Sequence, residues 1–147
     1  MKQLISIVFG VSMLSSVVFA EGMQTQEMPT TELIKQNHQI VKLASEEISK
    51  SLPQEVDKYT TMTKVEAKDN TMIYIFEINT GAKSDETVKK EDHSRMQKAI
   101  TEGICKTQQR FLDAEINISY LYKSATSKAV LFQFDVNKND CTKGIRQ

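Results

Sequence analysis

Cys105 and Cys141 carry the most reactive chemistry in this 147-residue chain and are its only thiols. A thiol can act as a nucleophile, a metal ligand or half of a disulfide. A nucleophilic cysteine must stay reduced beside a histidine, and an oxidising compartment opposes that. A zinc site would want two further ligands at motif spacing, and His38 and His93 do not supply them. An even cysteine count in an exported chain favours a disulfide. Two free buried thiols and half of a metal site are the alternatives.

The other reactive groups are scattered. Glu91, Asp92 and His93 are consecutive, and neighbours on a helix point in different directions, so the three read as a solvated helix face rather than a chelate or an acid–base pair. His38 reads as structural. No serine stands in a G-x-S-x-G elbow, and no glycine-rich loop is present to cradle phosphate. A glycosidase needs two carboxylates paired in space, which sequence does not display. Met23 and Met28 offer thioethers of the kind that bind copper(I), but without a third soft ligand nearby they read as part of a tail. Asn117-Ile118-Ser119 matches a glycosylation sequon, but it falls inside an expected strand and is assigned no role. No catalytic residue, metal or cofactor is therefore predicted.

The N-terminus says where the chain works. Lys2 gives a positive start, Leu4 to Val18 are largely apolar, and Val18-Phe19-Ala20 places small residues at −3 and −1 before Glu21-Gly22. This is the three-part pattern of a secretory signal, here cleaved between Ala20 and Glu21. The apolar run is short for a membrane span, which takes about 20 residues; an uncleaved anchor is the alternative. No cysteine lies near the cleavage site and no second long apolar run follows, so neither a lipid anchor nor a stable membrane anchor after cleavage is expected. The expected location is periplasmic or secreted. With 19 basic and 19 acidic residues there is no basic stripe for nucleic acid and no polybasic patch for a membrane surface.

Residues 21–29 read as a flexible tail, 30–141 as one domain and 142–147 as a C-terminal tail. Thr30 or Thr31 offers an N-cap, and Leu33, Ile40, Ala44, Ile48 and Leu52 recur at near-helical spacing up to Pro53. Residues 60–67 and 71–79 alternate as strands around the turn Lys68-Asp69-Asn70. Ser84 caps a second helix whose stripe is Val88, Met96, Ala99, Ile100, Gly103 and Ile104, followed by a turn carrying Phe111 and Leu112. Two more strands place Ile116, Ile118, Tyr120 and Tyr122, then Val130, Phe132, Phe134 and Val136, on one face. The order α-β-β-α-β-β predicts an α+β fold: a four-stranded antiparallel sheet with helices packed on one face.

Leu52-Pro53, Val56-Asp57 and Thr60-Thr61 lead into a strand with Tyr74. Gly103-Ile104-Cys105, Phe111-Leu112, Tyr120-Leu121-Tyr122 and Asp140-Cys141 follow. This order resembles small exported bacterial proteins of unknown function that share an LP-x-x-VD start, a mid-chain cysteine and a terminal DC. That resemblance implies a bacterial envelope, one disulfide between Cys105 and Cys141, and no reaction. A more distant similarity is to the α+β pilotins of secretion systems, which escort outer-membrane secretins and are typically lipoproteins.

The function expected from all this is a non-enzymatic protein-interaction module, an envelope or secretion accessory whose partner is another envelope protein. The sequence sets no oligomeric state. Tyr74, Phe76, Tyr120, Tyr122, Phe132 and Phe134 read as core, and any part left uncovered would be a binding groove; an edge strand offers a second route. The alternative is a small disulfide-closed inhibitor of a wall-degrading enzyme, acting through Asp69-Asn70 or Ser124 to Lys128. An envelope hydrolase would instead show a pocket with convergent ionisable groups.

Overall fold

The structure, a computed structural model, describes residues 30–143. The expected signal peptide, its cleavage site at Ala20 and Glu21, the tail with Met23 and Met28, and the last four residues lie outside the described residues.

Alternating apolar residues make the strands. β1 (Gln54–Asp57), β2 (Thr60–Lys68), β3 (Thr71–Ile78), β4 (Asn117–Ser124) and β5 (Val130–Val136) form one five-stranded sheet in the order β1-β2-β3-β4-β5. Met72, Tyr74 and Phe76 on one face of β3 and Ile75 on the other are all buried, as suits the central strand of a sheet. The expected sheet, four-stranded and antiparallel, is corrected in two respects. β1 is an additional edge strand, too short to show a period. β3 and β4 run parallel, from Thr71↔Asn117 to Ile78↔Ser124. Parallel neighbours need a long crossover, and helices α2 (Asp85–Lys90), α3 (Ser94–Thr107) and α4 (Gln109–Asp113) occupy it.

The expected single second helix is divided. Ser84 caps α2 as its sequence suggested, its hydroxyl accepting from the Thr87 N–H at 3.2 Å. At the break, Asp92, which precedes the His93 cap position, accepts from the Ser94 N–H at 2.9 Å, an Asx turn that satisfies a donor the first turn of α3 leaves orphaned. Met96, Ile100 and Ile104 turn towards the core, whereas Ala99 and Gly103 are exposed.

Helix α1 (Thr30–Ser49) differs from its expected stripe. Asn37, Val41 and Ser45 are its buried residues, while Ile34, Ile40 and Leu43 are 48%, 36% and 66% exposed. Apolar periodicity misses this face because polar residues lie on it. The Asn37 amide donates to the Ala114 carbonyl at 2.7 Å, which makes its burial tolerable. The Ser49 hydroxyl, at the other end, donates to the Val65 carbonyl of β2 at 3.3 Å. One core joins Val41 of α1, Ile104 of α3 and Leu112 of α4 to Met72, Ile118 and Val136 of the sheet, so these helices share one face of the sheet.

Cys105 of α3 is bonded to Cys141, with Cα atoms 5.5 Å apart. Cys141 lies in a further helix, α5 (Lys138–Lys143), which follows β5.

Reducing this bond releases a loop of sequence separation 36. Chain entropy puts such a link at about 4 kcal/mol, so confirmed reduction should lower Tm by on the order of 15 °C; an unchanged melting curve would show that the bond does not support the fold. Asn37→Ala should destabilise by about 1–3 kcal/mol by removing a buried amide and leaving the half-buried Ala114 carbonyl without its donor, whereas Leu43→Ala should cost under about 0.5 kcal/mol. Chemical denaturation that ranks the two the other way round would refute the inward face assigned to α1.

Candidate functional site

The helix-bearing face of the sheet is incompletely covered. Between β1 at the sheet edge and α3, an open groove of about 590 Å³ reaches down to β3 and β4. Its floor is Tyr74, Phe76, Tyr120 and Tyr122; Met96 and Ile100 form the α3 wall, and Gln54 to Asp57 with Thr60 and Met62 form the other.

Parallel pairing sets Tyr74 beside Tyr120 and Phe76 beside Tyr122. The rings then form a row: Tyr74 to Tyr120 at 5.3 Å, Tyr120 to Phe76 at 4.9 Å, Phe76 stacked on Tyr122 at 4.9 Å, and Tyr122 stacked on Phe132 at 4.8 Å. These are favourable aromatic separations. The Tyr74 hydroxyl donates to the Gln108 side-chain oxygen at 3.2 Å. Burial pushes the Tyr74 phenol up to about 12, with the neighbouring Tyr120 adding to it. Burial also raises Tyr120 and Tyr122, and for Tyr122 the nearby Tyr120 and Asp57 add to the effect. The floor is therefore neutral and polarisable.

The β1 wall is held by its own turn. One Asp57 carboxylate oxygen accepts from the Tyr59 and Thr60 N–H groups at 2.8 and 2.9 Å, an Asx-type turn that fixes the entry to β2. A bulge between Glu55 and Asp57 interrupts the pairing with β2. All four β1 residues are exposed. Two carboxylates thus line the groove, both on one edge strand; facing them from α3 are Met96 and Ile100, so the groove holds no opposed acid–base pair.

Most residues singled out by sequence lie elsewhere. Glu91 pairs with Lys83 at 2.6 Å, Asp92 forms the turn before α3, and the His93 ring packs on Phe132 at 4.0 Å, so the three do not converge. His38 is exposed on α1. Cys105 and Cys141 are spent in their bond. Among the described residues, no three His, Cys, Asp or Glu side chains gather as a metal site would need. The Asn117 N–H donates to the Asn70 carbonyl at 2.9 Å, within the body of the fold. The two candidate inhibitory loops are tight turns, the first tied by the Asn70 amide to the Glu115 carbonyl at 2.7 Å and the second by Lys128 to Glu77 at 2.7 Å. In the sequence the aromatic residues read as core and Met96 and Ile100 as a helix stripe, with a groove as the alternative were any part left uncovered; nothing in it marks Glu55 and Asp57 as site residues beyond the Val56-Asp57 motif.

No helix among the described residues is long and apolar enough to cross a membrane. A family model described as a domain of unknown function (DUF8479) matches residues 35–132. No curated protein matches the sequence. Three solved structures resemble the fold. A Pseudomonas aeruginosa protein described as secreted aligns with a TM-score of 0.66 at 9% identity, over 74% of this chain and 96% of that one. A pilotin of the Vibrio vulnificus type 2 secretion system gives 0.62 at 12% identity, over 76% and 96%. The pilotin AspS of the Vibrio cholerae type II system gives 0.56 at 21% identity, over 76% and 97%. At these identities the likeness shows the fold.

The raised tyrosines predict alkaline behaviour. Tyr74 holds its proton to about pH 12 when folded but only to about pH 10 unfolded. Its contribution to stability is therefore complete below about pH 10 and is lost as pH rises towards 12. Tm should fall across that window, less steeply in Tyr74→Phe, and phenolate absorbance should lag behind that of free tyrosine until the fold opens. A flat Tm between about pH 10 and 12 would sink this assignment.

Proposed function

We propose, for a chain that belongs to the DUF8479 family of domains of unknown function, that it is an exported, non-enzymatic interaction module which holds a segment of another envelope protein in the groove between β1 and α3. The observation that carries this reading is the open groove walled by Met96 and Ile100, where the half-buried Tyr120 is the accessible ring of an otherwise buried aromatic floor. Its volume lies within the range of roughly 300–1,000 Å³ that ligand sites occupy. It is open along its length, which suits a peptide segment better than an enclosed small molecule. The pilotins that share the fold belong to secretion systems, which supports a role as an assembly or secretion accessory.

In this reading the chain is exported, is cleaved between Ala20 and Glu21, and works in the periplasm or outside the cell. It uses no cofactor, metal or nucleic acid. The groove takes precedence over simple strand addition at β1, because β1 is four residues long and bulged, which limits backbone pairing.

The test is site-specific photocrosslinking of the full-length protein in its native envelope. A crosslinker at Val56, 57% exposed beside the groove, should capture one envelope protein. A crosslinker at Gln133, exposed on β5 and paired with Leu121, should not. Met96→Asp, confirmed folded by its melting curve, should reduce capture at Val56 at least tenfold by placing a charge in the apolar wall. Equal capture from Val56 and Gln133, or none from Val56, would refute the groove as the binding site.

A further inference from the structure

The groove is chemically lopsided. Its two charged lining residues, Glu55 and Asp57, are both acidic and both on β1, whereas the wall opposite is Met96 and Ile100 and the floor is aromatic. No ion pair neutralises either carboxylate among the described residues. The neighbouring Lys58 ammonium does not face them as a partner; it lies over the Tyr59 ring at 4.6 Å. Both turn bonds of Asp57 fall on one carboxylate oxygen. The same carboxylate lies close enough to Tyr122 to help raise its pKa, so its negative field reaches the groove floor.

An uncompensated acidic wall beside an apolar trough selects its occupant. A wholly apolar segment would bring hydrocarbon against two hydrated carboxylates and strip their water without supplying a counter-charge, an unfavourable desolvation. An acidic segment would be repelled. A segment with an apolar ridge and a cation on one flank satisfies both walls at once, and complementary charge also fixes its direction in the groove.

We propose that the segment this groove takes is amphipathic and carries a lysine or arginine that seats against Glu55 and Asp57 while its apolar side lies on Tyr120, Met96 and Ile100, above the buried rings of Tyr74, Phe76 and Tyr122. The inference rests on the reading of the groove as a segment-binding site and adds the chemistry of the partner. The cation is a rim contact open to solvent, so it governs selectivity, orientation and salt dependence, while the apolar side supplies most of the affinity.

The experiment maps the peptide crosslinked from Val56 by mass spectrometry and uses that peptide, made synthetically, as the probe for binding to the full-length protein. The mapped stretch should contain a lysine or arginine within a few residues of its apolar positions. Binding should weaken as salt rises. Glu55→Gln with Asp57→Asn should weaken it roughly three- to tenfold and flatten the salt dependence. Asn at 57 keeps an oxygen for the Tyr59 and Thr60 N–H groups, so the turn survives the loss of charge. Glu55→Lys should bind a peptide in which the basic residue is exchanged for glutamate better than it binds the original.

A mapped stretch that is neutral or acidic at this position overturns the inference and leaves the groove reading standing. So does binding that ignores both the double substitution and the salt. A crosslinked peptide from a second copy of this chain, or a crosslinked lipid, also overturns it. Absence of any Val56 crosslink overturns the groove reading and the inference with it.

Discussion

β3 and β4 pair in parallel and in unbroken register along their whole length, and both the core and the groove follow from that pairing. Parallel strands without a register shift set like-facing residues side by side, so Met72 meets Ile118, Tyr74 meets Tyr120 and Phe76 meets Tyr122. Antiparallel pairing would oppose the ends of these strands and place the tyrosines and the aliphatic residues differently. The aromatic row begins in this register and continues through Tyr122 to Phe132 and Phe134 of β5. The aliphatic ends of the same strands, Met72 and Ile118, are fully buried in the core.

A parallel pair also demands a crossover, and the crossover builds the groove wall. Helices α2 to α4 span the connection from β3 to β4, and α3 brings Met96, Ile100 and Ile104 across the sheet face. Helix α1 has its strongest contact with β2 and only a lesser one with β3. The aromatic floor between is walled by α3 on one side and β1 on the other. The site is thus a by-product of helices that share one core but leave the β1 side of the sheet face without a helix over it, so that a polar-edged trough stands beside the core.

Much of the domain was legible because its residues obey a single period. Tyr74 and Phe76 on β3, and Phe132, Phe134 and Val136 on β5, alternate cleanly, and Ser84 followed by acidic residues marks a helix start. The disulfide was legible from the cysteine count together with the expected export. What escaped depends on partners far away in sequence. Asn37 faces inward only because the Ala114 carbonyl waits for it, 77 positions on. The parallel pairing is invisible to alternation, which reports faces and not strand direction. Asp92 reads as one charge among many until its oxygen meets Ser94. β1 is too short to show a period, and so the acidic wall of the site was missed although both aromatic strands below it were found.

The bond at Cys105 has a mechanical meaning for this arrangement. It clamps α3 to α5 near one end of the helix, while the groove-lining Met96 lies nine positions away near the other. At 1.5 Å per residue, that is a span of about 14 Å. The far end is held as well: Met96 and Ile100 pack against the core and the His93 ring at the start of α3 lies on Phe132 at 4.0 Å. With a covalent pin at one end and packed rings at the other, α3 spans the sheet as a beam supported at both ends, and the groove beside it takes its width from that framework.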